Sequence, residues 1–160
     1  MPSNRNTNEW GVYYDFIDAE NPGATVDPLN GKHTLDDLGF HMDMPTYPVP
    51  TKKEILVSLP YTNGVLDFSK QDGGYHYEPM EYEYHFWGKF DTLAAMRAAQ
   101  LAINSAFVEY ESDISDDYIY PDFFYCTGIG VEFPVIDVNN FYLEAVVRFR
   151  RALYVNAYEI

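Results

Sequence analysis

The chain holds 160 residues, with 10 basic against 25 acidic side chains and a formal net charge of −15. Such a surface repels polyanions and speaks against a nucleic-acid-binding module, and the lone Cys126 excludes an internal disulfide framework or a cysteine-based zinc site. The length fits one domain over 1–160; with no run of about 18 apolar residues and no start resembling a signal peptide, no membrane partner is expected and synthesis in a reducing cytoplasm is.

Aromatic residues make up 18% of the chain, led by 15 Tyr and 11 Phe, which suits half-buried sheet faces and subunit contacts. Residues 1–11 are polar and expected to be mobile, and Val12–Ile17 reads as a first strand. Between 19 and 50, Pro22, Pro28, Pro45, Pro48 and Pro50, together with Gly23, Gly31 and Gly39, predict a long loop or arm. Ile55–Leu59 is a short apolar strand closed by Pro60, with turns expected at Asn63-Gly64 and Asp72-Gly73-Gly74. From Met80 to Phe86, Met80, Tyr82, Tyr84 and Phe86 alternate with Glu81, Glu83 and His85, the period-two pattern of a half-buried strand.

Residues 92–107 form the one predicted helix, with Asp91 as N-cap. Met96, Ala99, Ile103, Ala106 and Phe107 make its inner stripe, and Arg97, Gln100 and Asn104 lie on another face. Strands are predicted again at Asp117–Tyr120, Phe123–Cys126 and Val131–Val135, with Pro121 and Pro134 pointing to edges or bulges. After a turn at Asn139-Asn140, a last strand runs Leu143–Phe149. It places Leu143, Ala145, Val147 and Phe149 inward and Glu144, Arg148 and Arg150 outward. This order predicts an α+β fold with a mostly antiparallel sheet.

The central segment resembles the N-terminal domain of distal tail proteins of long-tailed phages. The resemblance rests on Pro50–Pro60, on Asn63-Gly64-Val65-Leu66-Asp67-Phe68, and on Gly74-Tyr75 followed by the alternating strand and the helix. Tyr118–Gly128, an Asn-containing turn and the final amphipathic strand follow the same layout, so it covers roughly residues 12–155. It implies a tail-tube-like β-sandwich or split barrel with one flanking helix. It also implies a hexameric ring of this chain at the tail tip of the virion, between tail tube and baseplate, assembled in the host cytoplasm.

No motif of a common catalytic family is present, neither Gly-x-Ser-x-Gly, a Walker loop, His-Glu-x-x-His nor Cys-x-x-Cys, and no enzyme or cofactor is expected. Gly128-x-Gly130 reaches Phe133 where a dinucleotide fingerprint needs a third glycine. Glu81, Glu83 and His85 share a strand face and could hold a divalent metal, but a solvated face is the commoner outcome. The stretch Glu109, Glu111, Asp113, Asp116, Asp117 lacks the glycine and closing glutamate of an EF-hand. For His33 and His41 no partner can be named. The basic cluster Arg148, Arg150, Arg151 could pair with an acidic face of a neighbouring subunit or within its own.

The expected function is therefore a distal tail ring subunit that lets DNA pass, or a tail-tube subunit. From other classes come an acidic DNA-mimic inhibitor and a sugar-binding module with Trp10 or Trp87 as stacking platforms. If DNA crosses a ring, Glu81, Glu83, Glu109, Glu111, Asp113, Asp116 and Asp117 are the candidates for the lumen, with the arginine cluster, as candidate subunit interface, away from it.

Overall fold

A computed structural model describes residues 4–18, 20–21, 25–48, 56–58, 65–67, 70–71, 74–75 and 79–151. In chain order the elements are β1 (Val12–Tyr14), β2 (Lys32–His33), α1 (Thr34–Leu38), β3 (His41–Met42), β4 (Leu56–Ser58), β5 (Val65–Asp67), β6 (Lys70–Gln71), β7 (Gly74–Tyr75), β8 (Met80–Lys89), α2 (Leu93–Phe107), β9 (Glu111–Asp116), β10 (Phe124–Asp137) and β11 (Tyr142–Arg151). The fold is α+β and antiparallel throughout. Seven strands form one sheet in the order β2-β1-β9-β10-β11-β8-β3, while β4 pairs with β5 and β6 with β7.

Connectivity forces this sheet to curl. Laid flat, its outer strands β2 and β3 would stand about 29 Å apart at the usual strand spacing, yet only residues 34–40 join them, mostly the short α1. The ends therefore approach, and Met42 N donates to Trp10 O at 3.1 Å across the seam. Gly39 makes the tight return possible. Its φ of 79° ends α1, with its N–H on Leu35 O, a left-handed position that costs glycine little.

Long strands behave as their periodicity demands. Met80, Tyr82, Tyr84 and Phe86 of β8 are buried, as are Leu143, Ala145, Val147 and Phe149 of β11, and the two strands pair in continuous register from Tyr142↔Lys89 to Arg151↔Met80. Helix α2 lays Met96, Ala99, Ile103 and Phe107 into the core. There Phe107 meets Phe149 edge to face at 5.5 Å and Tyr14 at 4.8 Å. Gly128 lets the helix end approach β10: a Cβ there would stand 2.0 Å from Phe107 O, and Gly128 N donates to Tyr110 O at 2.6 Å.

Several expectations are corrected. The helix N-cap is Thr92, whose side chain accepts from Ala95 N, rather than Asp91. Asp117–Tyr120 is a turn and not a strand, and Phe124–Asp137 is one long strand that runs through Pro134 with register breaks at Gly128/Gly130 and Glu132/Val135. Within 19–50, the described residues 25–48 carry β2, α1 and β3, which complete the sheet rather than forming an arm. At the N-terminus, described residues 4–11 are held in place: Arg5 pairs with Asp36, and Trp10 is buried with its indole N–H on Arg5 O. The turns expected at Asn63-Gly64 and Asp72-Gly73 lie outside the described residues.

Ile103 is fully buried. Ile103→Ala should cost about 2–5 kcal/mol, seen as a lower urea midpoint at unchanged slope; an unmoved midpoint would mean that the stripe is not packed.

Candidate assembly surface and buried acid cluster

The expected site residues sort onto two faces and one interior cluster. On the outer face, β8 and β11 pair Glu83 with Arg148 and Glu81 with Arg150 by register. Arg148 Nε donates to Glu83 Oε1 at 2.8 Å and its Nη1 to Glu132 Oε1 at 2.6 Å, while Arg150 Nη2 reaches Glu81 Oε1 at 3.5 Å. Arg148 holds the Glu83 carboxyl below the usual range. His85 Nε2 lies 3.6 Å from Glu83 Oε2, and among the described residues no group of three His, Cys, Asp or Glu side chains is placed to hold a metal.

This ladder changes the expected charge arrangement. Glu81 and Glu83 share one face with Arg148 and Arg150, so any opening lined by those glutamates is lined by the arginines too. Period two carries Arg151 to the opposite face, where its guanidinium lies 4.7 Å over the Phe124 ring and Nη1 donates to Tyr82 OH at 3.3 Å. The three arginines are not one cluster in space.

Glu109 and Glu111 are exposed, and Tyr125 OH donates to Glu111 at 2.8 Å. Asp113 is half-buried, with its pKa raised by burial. Asp116 and Asp117 are fully buried and cannot face a lumen. Asp116 Oδ1 accepts from Tyr118 N (2.8 Å) and Ile119 N (3.0 Å), and Oδ2 from Tyr47 OH (2.5 Å) and Tyr84 OH (2.9 Å). Asp117 accepts from Tyr13 OH (2.6 Å), Gly11 N (2.8 Å) and His33 Nε2 (2.9 Å). His33 Nδ1 accepts from Leu35 N at 3.2 Å, capping α1, which leaves the proton of a neutral ring on Nε2.

Burial raises the Asp116 pKa, partly offset by its four donors, and burial followed by the Asp116 charge raises those of Tyr47 and Tyr84. Sequence alone names no partner for His33. The one available signal is Asp-Asp at a strand end followed by a backbone turn, where a carboxylate commonly accepts from the N–H groups two and three residues on.

Neither tryptophan stands clear of the surface as an open platform: one is buried and the other has a ring face covered. Trp10 is 8% exposed, and His41 stacks on Trp87 at 4.2 Å.

No family model and no curated protein matches the sequence. Among solved structures, the chain is similar to the Dit protein of phage SPP1, described as a paradigm of the hub adsorption apparatus in phages that infect Gram-positive bacteria. The TM-score is 0.59 at 12% identity, over 88% of this chain and 49% of that one. The likeness is one of fold, and this chain spans about half the length of that protein.

Two predictions follow from the interior. Asp116→Ala should leave buried donors without an acceptor at about 1–3 kcal/mol each, whereas Asp116→Asn keeps a carbonyl for the two backbone N–H groups and should cost less. Because the folded pKa is raised, the proton-linked stability of Asp116 is complete below the unfolded value and is lost as pH rises through the folded one. Wild type should therefore lose ground to the Asn variant as pH rises from about 4; a constant gap in parallel urea titrations would contradict this. Burial also pushes the Cys126 thiol up to about 12, so it should resist a disulfide reagent at pH 8 until the chain unfolds; fast native labelling would refute this.

Proposed function

We propose that this chain is a structural, non-enzymatic subunit of a phage tail tip: a ring-forming distal tail component that joins the tail tube to the baseplate and lets DNA pass. The observation that carries this reading is the fold shared with the SPP1 hub protein over 88% of the chain. The mechanism is assembly. Each subunit offers one surface and receives another, and a rotation that closes gives a ring, here of six copies by the sequence resemblance.

The net charge of −15 supports the reading. A passing polyanion must not be retained, and a negative wall repels it weakly, screened over about 8–10 Å at physiological salt. Glu109 and Glu111 are the exposed candidates without an arginine partner among the described residues. A wall rich in unpaired basic groups would hold phosphates through counterion release.

The purified protein should sediment as a closed assembly several times the 18.5 kDa chain mass, and gold-labelled antibody should mark one end of the tail of the virion that encodes it. Label along the whole tail would make the chain a tube subunit. A monomer at high concentration together with unlabelled tails would reject the ring.

A further inference from the structure

Two surfaces of the molecule expose apolar side chains, one on α2 and one at the end of the β10–β11 hairpin. Helix α2 has fifteen residues and a single charged side chain, Arg97. Its buried stripe faces the core, yet its solvent side is also weakly polar: Ala94, Ala98 and Ser105 are exposed, as is Leu101 at 70%. A surface helix ordinarily carries charges on that side.

The second surface is the far half of β10 with the turn that follows. β9 pairs with β10 only over Phe124–Thr127, so from Ile129 onward β10 has β11 as its one strand neighbour among the described residues. This open edge exposes Val135 (38%), Ile136 (49%) and Val138 (51%). Glu132 on this strand is already neutralised by Arg148, which leaves Asp137 as the acid at the hairpin end and Glu144 on the neighbouring strand.

We infer that the outer face of α2 on one copy receives the Val135–Val138 end of the β10–β11 hairpin of a second copy. The inference deepens the ring reading and rests on it. Three observations select this occupant. Pro134 has no N–H, and the two register breaks twist the strand, so the edge is poorly suited to extending its ladder with another strand. An apolar helix face is the other common cover for an open edge.

The charges are complementary, with Arg97 on the helix against Asp137 at the hairpin end, whose carboxylate meets only the N–H donors of its own turn among the described residues. Copies that each carry −15 also repel least where a surface holds no acid. Because the two patches are different surfaces of one chain, the contact is head to tail, the kind that closes into a ring under repeated rotation.

The test uses Leu101→Glu and Ile136→Glu, both at exposed positions, with thermal melts to establish that each variant folds as wild type does. Each alone should weaken self-association about tenfold or more in sedimentation, by setting a carboxylate against an apolar or acidic partner. Mixed in equal amounts they should form a pair of two copies and nothing larger, because one intact helix meets one intact hairpin. As a second measurement, the double variant Leu101→Cys with Ile136→Cys should give a ladder of covalent multimers on oxidation, and neither single variant should.

Variants that assemble like wild type, or no ladder, would overturn this contact while leaving a ring built through another surface. A wild type that stays monomeric, with unlabelled tails, would overturn the ring reading and this contact together.

Discussion

Two adjoining carboxylates at the end of β9 hold together parts of the chain that the ladder alone would leave loose. Asp117 gathers Gly11, Tyr13 and His33, and through His33 the start of α1; Asp116 gathers Tyr47, Tyr84 and the turn at Tyr118–Ile119. These groups lie on both sides of the seam where the curled sheet meets itself. β2 and β3 are two residues long, too short to fix the seam by their own hydrogen bonds. A buried carboxylate is costly unless its lone pairs are used. Among the described residues no buried side-chain nitrogen or oxygen lacks a partner, and the donors that offset the cost of these two carboxylates are brought together by the closed sheet.

This arrangement explains what the sequence made legible and what it did not. β8, β11 and α2 are readable because their burial repeats at the period of their own element, and a chain half in water cannot hide that pattern. Tyr118-Ile119-Tyr120 has the composition of a strand and forms a turn, because the Asp116 carboxylate captures the N–H groups that a ladder would use. The same locality misleads about charge. Glu109 and Asp117 are close in sequence, but one is exposed and the other enclosed. Arg150 and Arg151 are neighbours whose side chains leave opposite faces of β11, and alternation carried one residue further would have separated them. His33 gives no local signal, since its partner Asp117 lies 84 residues on.

The charge ladder on the outer face and the acid cluster inside contribute differently. Exposed pairs such as Glu81–Arg150 are worth about 0–1 kcal/mol and weaken with salt; their effect is to cancel charge locally on a strongly anionic molecule. The interior cluster is little screened and fixes geometry. A fold shared at 12% identity with a phage hub protein can keep its architecture while its surface chemistry is rewritten, because architecture here depends on buried groups and on alternation, neither of which constrains the exposed half of each strand.

The close approach at Gly128 has a mechanical consequence. At the C-terminal end of α2 the gap to the sheet is set by the close approach of main-chain atoms, Gly128 against Phe107 O, whereas farther along the helix Met96, Ala99 and Ile103 fill it. That end of the helix is thus a fixed spacer, held at a set height above the sheet. In any closed array of identical parts, an angular error in one part is repeated at every joint and the last gap fails to shut. A spacer defined by backbone holds that tolerance better than one defined by packing, and the residue that secures it is the one with no side chain.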